Sequence, residues 1–295
     1  MVTIQANVGV GGANKPGDVS QVQKLLRQHA RWLEGLTVEV NGIADAVTCN
    51  AIGAFQRNAA AMLDPDSLVS PQGFTLRCLN RPEIPPPGHR VFAQSRVDRS
   101  GGGLTMADYA HAAAALACEV AAIQAVAQVE TRSSAWAGDG LPAILFERHY
   151  FSRLTNNVFD GSHPDLSNPT PGGYGASSAQ WSRLRRAAML NESAALQSAS
   201  WGAFQIMGAN CAECGFGSVA AFIDAMAASE QRQLDAFVAF VKHDAHKLKA
   251  VQGRDWETFA RLYNGPNYAD NDYDTKLADA YAVFKAALAR KQPVS

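Results

Sequence analysis

The chain has 295 residues, enough for two domains of ordinary size, and 47% of its residues are hydrophobic while 18% are charged. These proportions are typical of a folded globular protein and exclude an intrinsically disordered one. The formal net charge is −1, from 26 basic and 27 acidic side chains. Since no long run of Lys or Arg gives the chain a basic face, we expect no nucleic-acid partner.

The N-terminal residues 1–7 lack the basic segment and apolar core of a secretory signal. No segment approaches the roughly 18 consecutive apolar residues of a membrane-spanning helix. Residues 110–129 come closest, but Glu119, Gln124 and Gln128 interrupt them. We therefore expect a soluble protein that is made in the cytoplasm and does not insert into a membrane.

The five cysteines do not suggest a disulfide framework, because their number is odd and the chain is long. Cys211 and Cys214 form a lone Cys-x-x-Cys, which could be half of a zinc site or a redox pair, but no second pair accompanies it. His243 and His246 lie three residues apart without a recognisable third ligand. We expect no bound metal and no cofactor.

Composition divides the chain into three zones. Residues 1–80 form a compact unit, residues 81–103 a linker that is rich first in proline and then in glycine, and residues 104–295 a second unit. Long alanine-rich segments with apolar spacing near 3.6 residues predict that the second unit is mostly helical. Its polar loop, Thr155 to Tyr174, is long enough to suggest that it lines a site.

The first unit is predicted to contain helices on both sides of a turn. Asp18 is a plausible N-cap of the first helix, and the turn runs from Asn41 to Asp45. The order of these features resembles the three-helix peptidoglycan-binding domain of wall hydrolases, although the second glycine of that family's Asp-Gly-x-x-Gly turn is replaced here. The resemblance implies wall binding, with Asn41, Asp45 and Thr48 as candidate contacts, while most other matching residues are core positions. We find no strong internal repeat in the sequence.

A carboxyl group is predicted on the apolar face of a helix in the second unit. Five residues are separated by steps of 4, 3, 4 and 3 and so share one face: Leu116, Val120, Ile123, Ala127 and Glu130. Desolvation and the negative end of the helix dipole both raise the pKa of a carboxyl group in such a place. Glycosidases need a protonated carboxyl of this kind as general acid. Alternatively, Glu130 reaches water or pairs with Arg132 or Arg148.

Residues 198–207 and 259–265 mix small, amide and aromatic side chains, a mixture that suits a sugar cleft. The Glu after an apolar helix, the Ser-x-Gly-x-x-Gln-Ile that begins at Ser200 and the Tyr-Asn-Gly that begins at Tyr263 resemble the goose-type lysozyme and lytic transglycosylase superfamily. The whole second unit, including residues 145–151, resembles the N-acetylmuramidase domain of modular phage endolysins. The predicted fold is therefore mainly α: a small three-helix wall-binding domain followed by a larger lysozyme-like catalytic domain.

The resemblance implies that Glu130 is the general acid on the bond between N-acetylmuramic acid and N-acetylglucosamine. The residues predicted to line the cleft are Ser200, Trp201, Gly202, Gln205, Tyr263 and Asn264, with Trp201 as a sugar platform and His149 near the site. For a second carboxylate that positions water we favour Glu147 over Asp139. Alternatively, Glu147 forms a buried ion pair with an arginine, and some members of the superfamily use no second carboxylate.

The sequence thus predicts a monomeric peptidoglycan hydrolase that serves phage lysis. It would stay in the host cytoplasm until a separate pore or secretion machine released it to the wall. A lytic transglycosylase with 1,6-anhydro products and a non-catalytic wall-binding structural or effector protein are the alternatives. A zinc amidase or peptidase conflicts with the histidine spacing, and neither Cys118 nor Cys211 has the local signature of a Cys–His peptidase.

Overall fold

The computed structural model describes residues 1–93, 103–130, 134–265, 269 and 272–291, so residues 94–102 of the predicted linker and Arg132 lie outside the described residues. The chain forms two compact units, each discontinuous in sequence. Unit 1 comprises Met1–Gly88, Glu147–Gly173 and Trp181–Ala195, and unit 2 comprises His89–Phe146, Tyr174–Gln180 and Leu196–Ser295. The predicted division into consecutive domains stays a prediction.

The mainly α fold class is confirmed: within the described residues the chain forms thirteen helices and five short strands. The strands are β1 (Val8–Gly9), β2 (Leu68–Val69), β3 (Ile144–Phe146), β4 (Ala199–Trp201) and β5 (Ile206–Met207). The helices are α1 (Pro16–Gln28), α2 (Ala46–Asn58), α3 (Phe74–Leu79), α4 (Met106–Leu116), α5 (Val120–Glu130), α6 (Arg148–Leu154), α7 (Gln180–Leu190), α8 (Glu192–Gln197), α9 (Val219–Ala228), α10 (Glu230–His243), α11 (Ala245–Gly253), α12 (Trp256–Asn264) and α13 (Tyr273–Lys291).

The core of unit 1 lies between α1, α2 and α3, which supply more than half of its buried apolar side chains. The antiparallel pair of β1 and β2 closes one side of this core, with Val8 opposite Val69. Ile84, from the predicted linker, is also part of the core and is only 2% exposed. The carbonyl oxygen of Ile84 accepts a hydrogen bond from Arg31 at 2.6 Å. The first part of the predicted linker is therefore packed within unit 1 rather than free.

The first helix does not begin as the sequence suggested, and the N-cap prediction for Asp18 was wrong. Helix α1 starts at Pro16, a residue favoured in the first turn because it lacks the N–H group that would be left unsatisfied there. Asp18 lies within that turn. Its two carboxylate oxygens accept hydrogen bonds from the backbone N–H groups of Gln5 and Ala6, at 3.0 and 2.9 Å. The carboxylate thus fastens the N-terminal segment to α1.

The first of two equivalent turns in unit 1 is organised by a buried glutamine. The Nε2 of Gln23 donates to the side-chain oxygen of Asn41, the carbonyl of Ile43 and the hydroxyl of Thr48. The Oε1 of Gln23 accepts from the N–H groups of Asn41 and Gly42. The Asn41 oxygen also accepts from the N–H of Ile43, which closes an Asx turn.

The second turn repeats this arrangement one helix later. The Nε2 of Gln56 donates to the carboxylate of Asp66, the carbonyl of Leu68 and the hydroxyl of Thr75. The Oε1 of Gln56 accepts from the N–H of Ser67, and Asp66 accepts from the N–H of Leu68. The structure therefore contains an internal repeat of helix, Asx turn and helix that the sequence analysis did not find.

The polar loop belongs to unit 1 from residue 155 to Gly173, where it packs against the N-terminal segment. His163 is 1% exposed, and its Nε2 donates to the carbonyl oxygen of Ala60 at 2.8 Å. Arg186, on α7, donates to the carbonyl of Ala61 at 2.9 Å and to the carboxylate of Asp165 at 2.6 Å. The bonds to Ala60 and Ala61 join residues more than a hundred positions apart in the sequence.

Unit 2 contains an antiparallel sheet in the order β3, β4, β5 and a set of packed helices. Leu145 lies opposite Ser200, and Ser200 lies opposite Met207. Helix α13 packs against α5 and α12, and α10 packs against α4. Among the described helices none alone is long and apolar enough to span a membrane; α4 and α5 reach that length only together, and their axes bend by 111°.

Candidate active site

The candidate general acid, Glu130, is the last residue of α5. Ile123 and Ala127 precede it on the same helix and are buried, as the periodicity predicted. Leu116 was wrongly placed on this helix, because α4 ends there. Ala117 is left-handed, with a φ of 49°, and the N–H of Cys118 bonds the carbonyl of Ala113, the arrangement of a Schellman cap.

The motif at the end of α12 lies beside this carboxylate. Asn264 donates through Nδ2 to Oε1 of Glu130, with 3.3 Å between the two atoms. The hydroxyl of Tyr263 donates to the carbonyl oxygen of Phe204 at 2.7 Å. Burial raises the pKa of Tyr263 well above its usual value, and the negative charge of Glu130 adds to the effect. The three segments predicted to form the cleft are thus brought together in unit 2.

The turn between β4 and β5 is held by its own side chains. Ser200 donates through its hydroxyl to Oε1 of Gln205 at 2.7 Å, and Nε2 of Gln205 donates to the carbonyl of Gly202 at 2.8 Å. Gln205 itself has a φ of 47°, an uncommon conformation for a residue other than glycine. The side chains of Ser200 and Gln205 are therefore fixed in position before any substrate binds.

Gln233, on α10, packs against this turn and stabilises it. The residue pattern of the sequence did not lead us to predict this role. Gln233 is 1% exposed; its Oε1 accepts from the N–H of Ala203 at 2.7 Å, and its Nε2 donates to the carbonyl of Met226 at 2.8 Å. Gly202 has a φ of 72°, and a Cβ atom there would lie 2.5 Å from the Gln233 side chain. In the sequence, Gln233 is an amide residue one helical turn before Phe237, on the apolar face of α10. A polar residue on an apolar helix face is the same pattern that pointed to Glu130.

Trp201 is not a sugar platform, so this prediction is corrected. Its side chain is fully buried, and the indole N–H donates to the carbonyl oxygen of Leu196 at 3.1 Å. Successive side chains of a strand point to opposite faces, so Trp201 faces the core while Ser200 faces the turn. Trp136 is only partly buried, and its indole N–H donates to Glu230 at 3.0 Å.

The two candidates for a second carboxylate have different surroundings. Asp139, in unit 2, accepts at 3.2 Å from the N–H of Leu141 and so stabilises the turn in which it lies. Glu147, in unit 1, has a side chain that is 14% exposed and lies 3.1 Å from Nδ1 of His149. Burial lowers the pKa of the Arg183 guanidinium, and the charges of Asp165 and Glu147 act in the opposite direction. The catalytic roles of Asp139, Glu147 and His149 stay predictions.

The three candidate wall contacts all take part in the first Asx turn. Thr48 is 1% exposed, so the prediction that it contacts the wall is corrected: its hydroxyl is a buried acceptor for Gln23. Asp45 caps α2 by accepting from the N–H of Thr48 at 2.7 Å. Asn41 and Asp45 are exposed, and wall contact by these two residues stays a prediction.

A carboxyl group at a helix end, beside amide, hydroxyl and aromatic side chains in a mainly helical unit, is the arrangement of a lysozyme-like glycoside hydrolase. Residues 119–285 match the family model of N-acetylmuramidase. The chain is also similar to the crystal structure of the Burkholderia AP3 phage endolysin, at 34% identity and a TM-score of 0.60, over 97% of this chain and 100% of that one. A search of curated proteins found no significant match. The chain belongs to the N-acetylmuramidase family and is a peptidoglycan hydrolase.

Proposed function

We propose that the chain cleaves the glycosidic bond between N-acetylmuramic acid and N-acetylglucosamine with Glu130 as the general acid. The observation that carries this proposal is the hydrogen bond of Asn264 to Glu130, beside Tyr263 and the turn that follows Ser200. The carboxyl proton of Glu130 passes to the bridging oxygen as the bond to the anomeric carbon breaks. Positive charge then develops on the sugar ring.

The neighbouring side chains have supporting roles in this mechanism. Asn264 orients the carboxyl group through its amide N–H. Ser200, which is 6% exposed, and the partly buried Gln205 offer hydroxyl and amide groups to the substrate. Gly202 is buried and lets the turn pack closely against Gln233. Tyr263 holds the end of α12 to Phe204, so that Asn264 stays within reach of Glu130.

The fate of the positively charged sugar distinguishes two chemistries. In the hydrolase, a carboxylate positions a water molecule that attacks the anomeric carbon. Glu147 remains our first candidate for this role and Asp139 our second. In a lytic transglycosylase, the 6-hydroxyl of the muramic acid attacks instead and closes a 1,6-anhydro ring. We favour the hydrolase.

Mass spectrometry of digested wall distinguishes these products. Purified peptidoglycan incubated with the full chain should release fragments with reducing ends, whose masses include one added water for each bond cleaved. Borohydride reduction should then add two hydrogens to each fragment. Fragments that are lighter by one water and resist reduction would reject the hydrolase in favour of the transglycosylase.

We further propose that unit 1 binds the wall through residues 1–80 and that the enzyme serves the lysis of a bacterial host by a phage. The similarity to a phage endolysin along nearly the whole chain supports the role in phage lysis. The resemblance of residues 1–80 to a peptidoglycan-binding domain supports wall binding. We propose that the chain acts as a monomer and that other proteins, either a pore or a secretion machine, release it to the wall. Sedimentation of the full chain with insoluble peptidoglycan tests wall binding, and sedimentation velocity tests the oligomeric state.

A further inference from the structure

A groove of about 300 Å³ lies in unit 1 beside the second Asx turn. The N-terminal segment supplies most of its lining, including Met62, Asp66, Leu68 and Phe74, and the polar loop adds Ser162. The groove therefore combines apolar walls with a carboxylate and a hydroxyl group. The residues that line the groove belong to unit 1, whereas Glu130 and its bonded neighbours belong to unit 2.

The walls of this groove are fixed by neighbouring residues. The Phe74 ring contacts His163 edge-on, with 4.8 Å between the ring centroids, and Phe159 at 6.5 Å. The Oγ of Ser162 lies 2.9 Å from Nδ1 of the same histidine. Because His163 is itself bonded to Ala60, the loop side of the groove is anchored to the N-terminal segment.

Comparison of the two turns shows that the fold does not require a negative charge at Asp66. In both turns one side-chain oxygen accepts from a buried glutamine and from the N–H two residues later. At the first turn the amide oxygen of Asn41 serves this purpose without a charge. Asp66 is exposed and holds its turn through Oδ1, so the negative charge and Oδ2 contribute nothing to this bonding.

We propose that this groove binds the side chain of a diamino acid in the stem peptide of the wall, with its ammonium group on Asp66. The methylene groups of such a side chain would lie along Met62, Leu68 and Phe74, and the carboxylate would accept a charge-assisted hydrogen bond from the ammonium. This inference rests on the proposed wall binding by unit 1. If it is correct, unit 1 prefers stem peptides that are not crosslinked, because their side-chain amine is free.

In the test, a synthetic tetrapeptide of L-alanine, D-glutamate, meso-diaminopimelate and D-alanine is titrated into the full chain. Calorimetry measures the binding. This peptide has no glycosidic bond, so catalysis cannot interfere. The variant Asp66→Asn keeps the acceptor that Asn41 provides at the first turn and removes only the charge. Asp64→Asn is the matched control, since it makes the same change at an exposed position two residues earlier.

We expect Asp66→Asn, and separately acetylation of the peptide's side-chain amine, each to weaken binding at least about fivefold, while Asp64→Asn leaves it unchanged. No binding of the peptide, or equal effects of the two variants, would overturn the proposed groove. Sedimentation with intact peptidoglycan is measured in parallel. If the chain sediments with the wall and the peptide does not bind, only this inference fails; if the chain does not sediment, wall binding by unit 1 fails as well.

Discussion

At the scale of single residues, buried glutamines organise the loops of both units. Gln23 and Gln56 are fully buried, and Gln233 is 1% exposed. Each amide uses its oxygen for a backbone N–H and its nitrogen for at least one carbonyl. An apolar substitution would leave several buried polar groups without partners, and each such group costs about 1–3 kcal/mol.

Gly202→Ala should destabilise unit 2 and lower activity. The new Cβ would lie 2.5 Å from Gln233, at a φ of 72° that disfavours any other residue than glycine. We expect a loss of about 1–3 kcal/mol in the free energy of unfolding, measured by chemical denaturation. Gly217→Ala is the control, because no atom lies within 4 Å of its added Cβ. Equal stability of the two variants would contradict this view of the turn.

The sequence correctly predicted the segments that form the candidate site. It was less successful for the side chains within them that face the site. Residues 259–265 contact both Glu130, through Asn264, and residues 198–207, through the bond from Tyr263 to Phe204. Within them, Trp201 lies in the core, because all three residues of β4 are buried and the motif does not indicate this. In unit 1, Thr48 is buried on α2, where its hydroxyl accepts from Gln23, and the sequence does not indicate this either.

At the scale of elements, the apolar periodicity predicted helices correctly but not where they break. The alanine-rich segment at residues 217–250 forms three helices, α9, α10 and α11. Ser229 and Asp244 cap the second and third of them by accepting backbone hydrogen bonds. These two breaks carried a sequence signal. The break at Ala117 carried none, since alanine rarely adopts a left-handed conformation.

The internal repeat of unit 1 could not be predicted from the sequence either. Its two turns share only the type of bonding, with Asn41 in one and Asp66 in the other, and Gly42 corresponds to Ser67. The spacing from glutamine to turn also differs, at 18 and 10 residues. A pattern search needs identical residues or a fixed period, whereas hydrogen bonding accepts either side chain.

At the scale of the whole molecule, contacts between distant segments decide which residues form each unit. Unit 1 takes residues 147–173 and 181–195 from the middle of the chain. The bond from His163 to Ala60 spans 103 residues, and the bond from Arg186 to Ala61 spans 125. Local patterns do not reveal such pairs, so the sequence alone does not predict which distant segments join a unit.

The free energy of unfolding of unit 1 should fall below pH 6.5, because His163 and His149 are shielded from water in the folded unit. Burial lowers the pKa of His163 below its ordinary value of 6.5, and burial likewise lowers the pKa of His149. The unfolded chain therefore binds these protons at higher pH than the folded one. Their contribution to stability is complete above pH 6.5 and is lost as the pH falls towards the folded pKa values.

Urea denaturation at several pH values between 7.5 and 5.5 measures this effect. We expect the free energy of unfolding of wild type to fall by at most about 1.4 kcal/mol per pH unit for each histidine. His163→Gln should show a shallower dependence, because glutamine can donate to Ala60 but does not titrate. His111→Gln, at an exposed position in unit 2, is the control. The same slope in His163→Gln and wild type would contradict this explanation.

The central claim is that one proton, donated by Glu130, drives cleavage of the glycan. The direct measurement is the release of reducing ends from purified peptidoglycan by wild type, Glu130→Gln and Glu257→Gln, an exposed control on α12. General acid catalysis contributes roughly a hundred- to ten-thousandfold, so Glu130→Gln should lose that much activity while it keeps its circular dichroism spectrum and still sediments with the wall. Glu257→Gln should retain wild-type activity. A folded Glu130→Gln that releases reducing ends within tenfold of the wild-type rate would contradict the account.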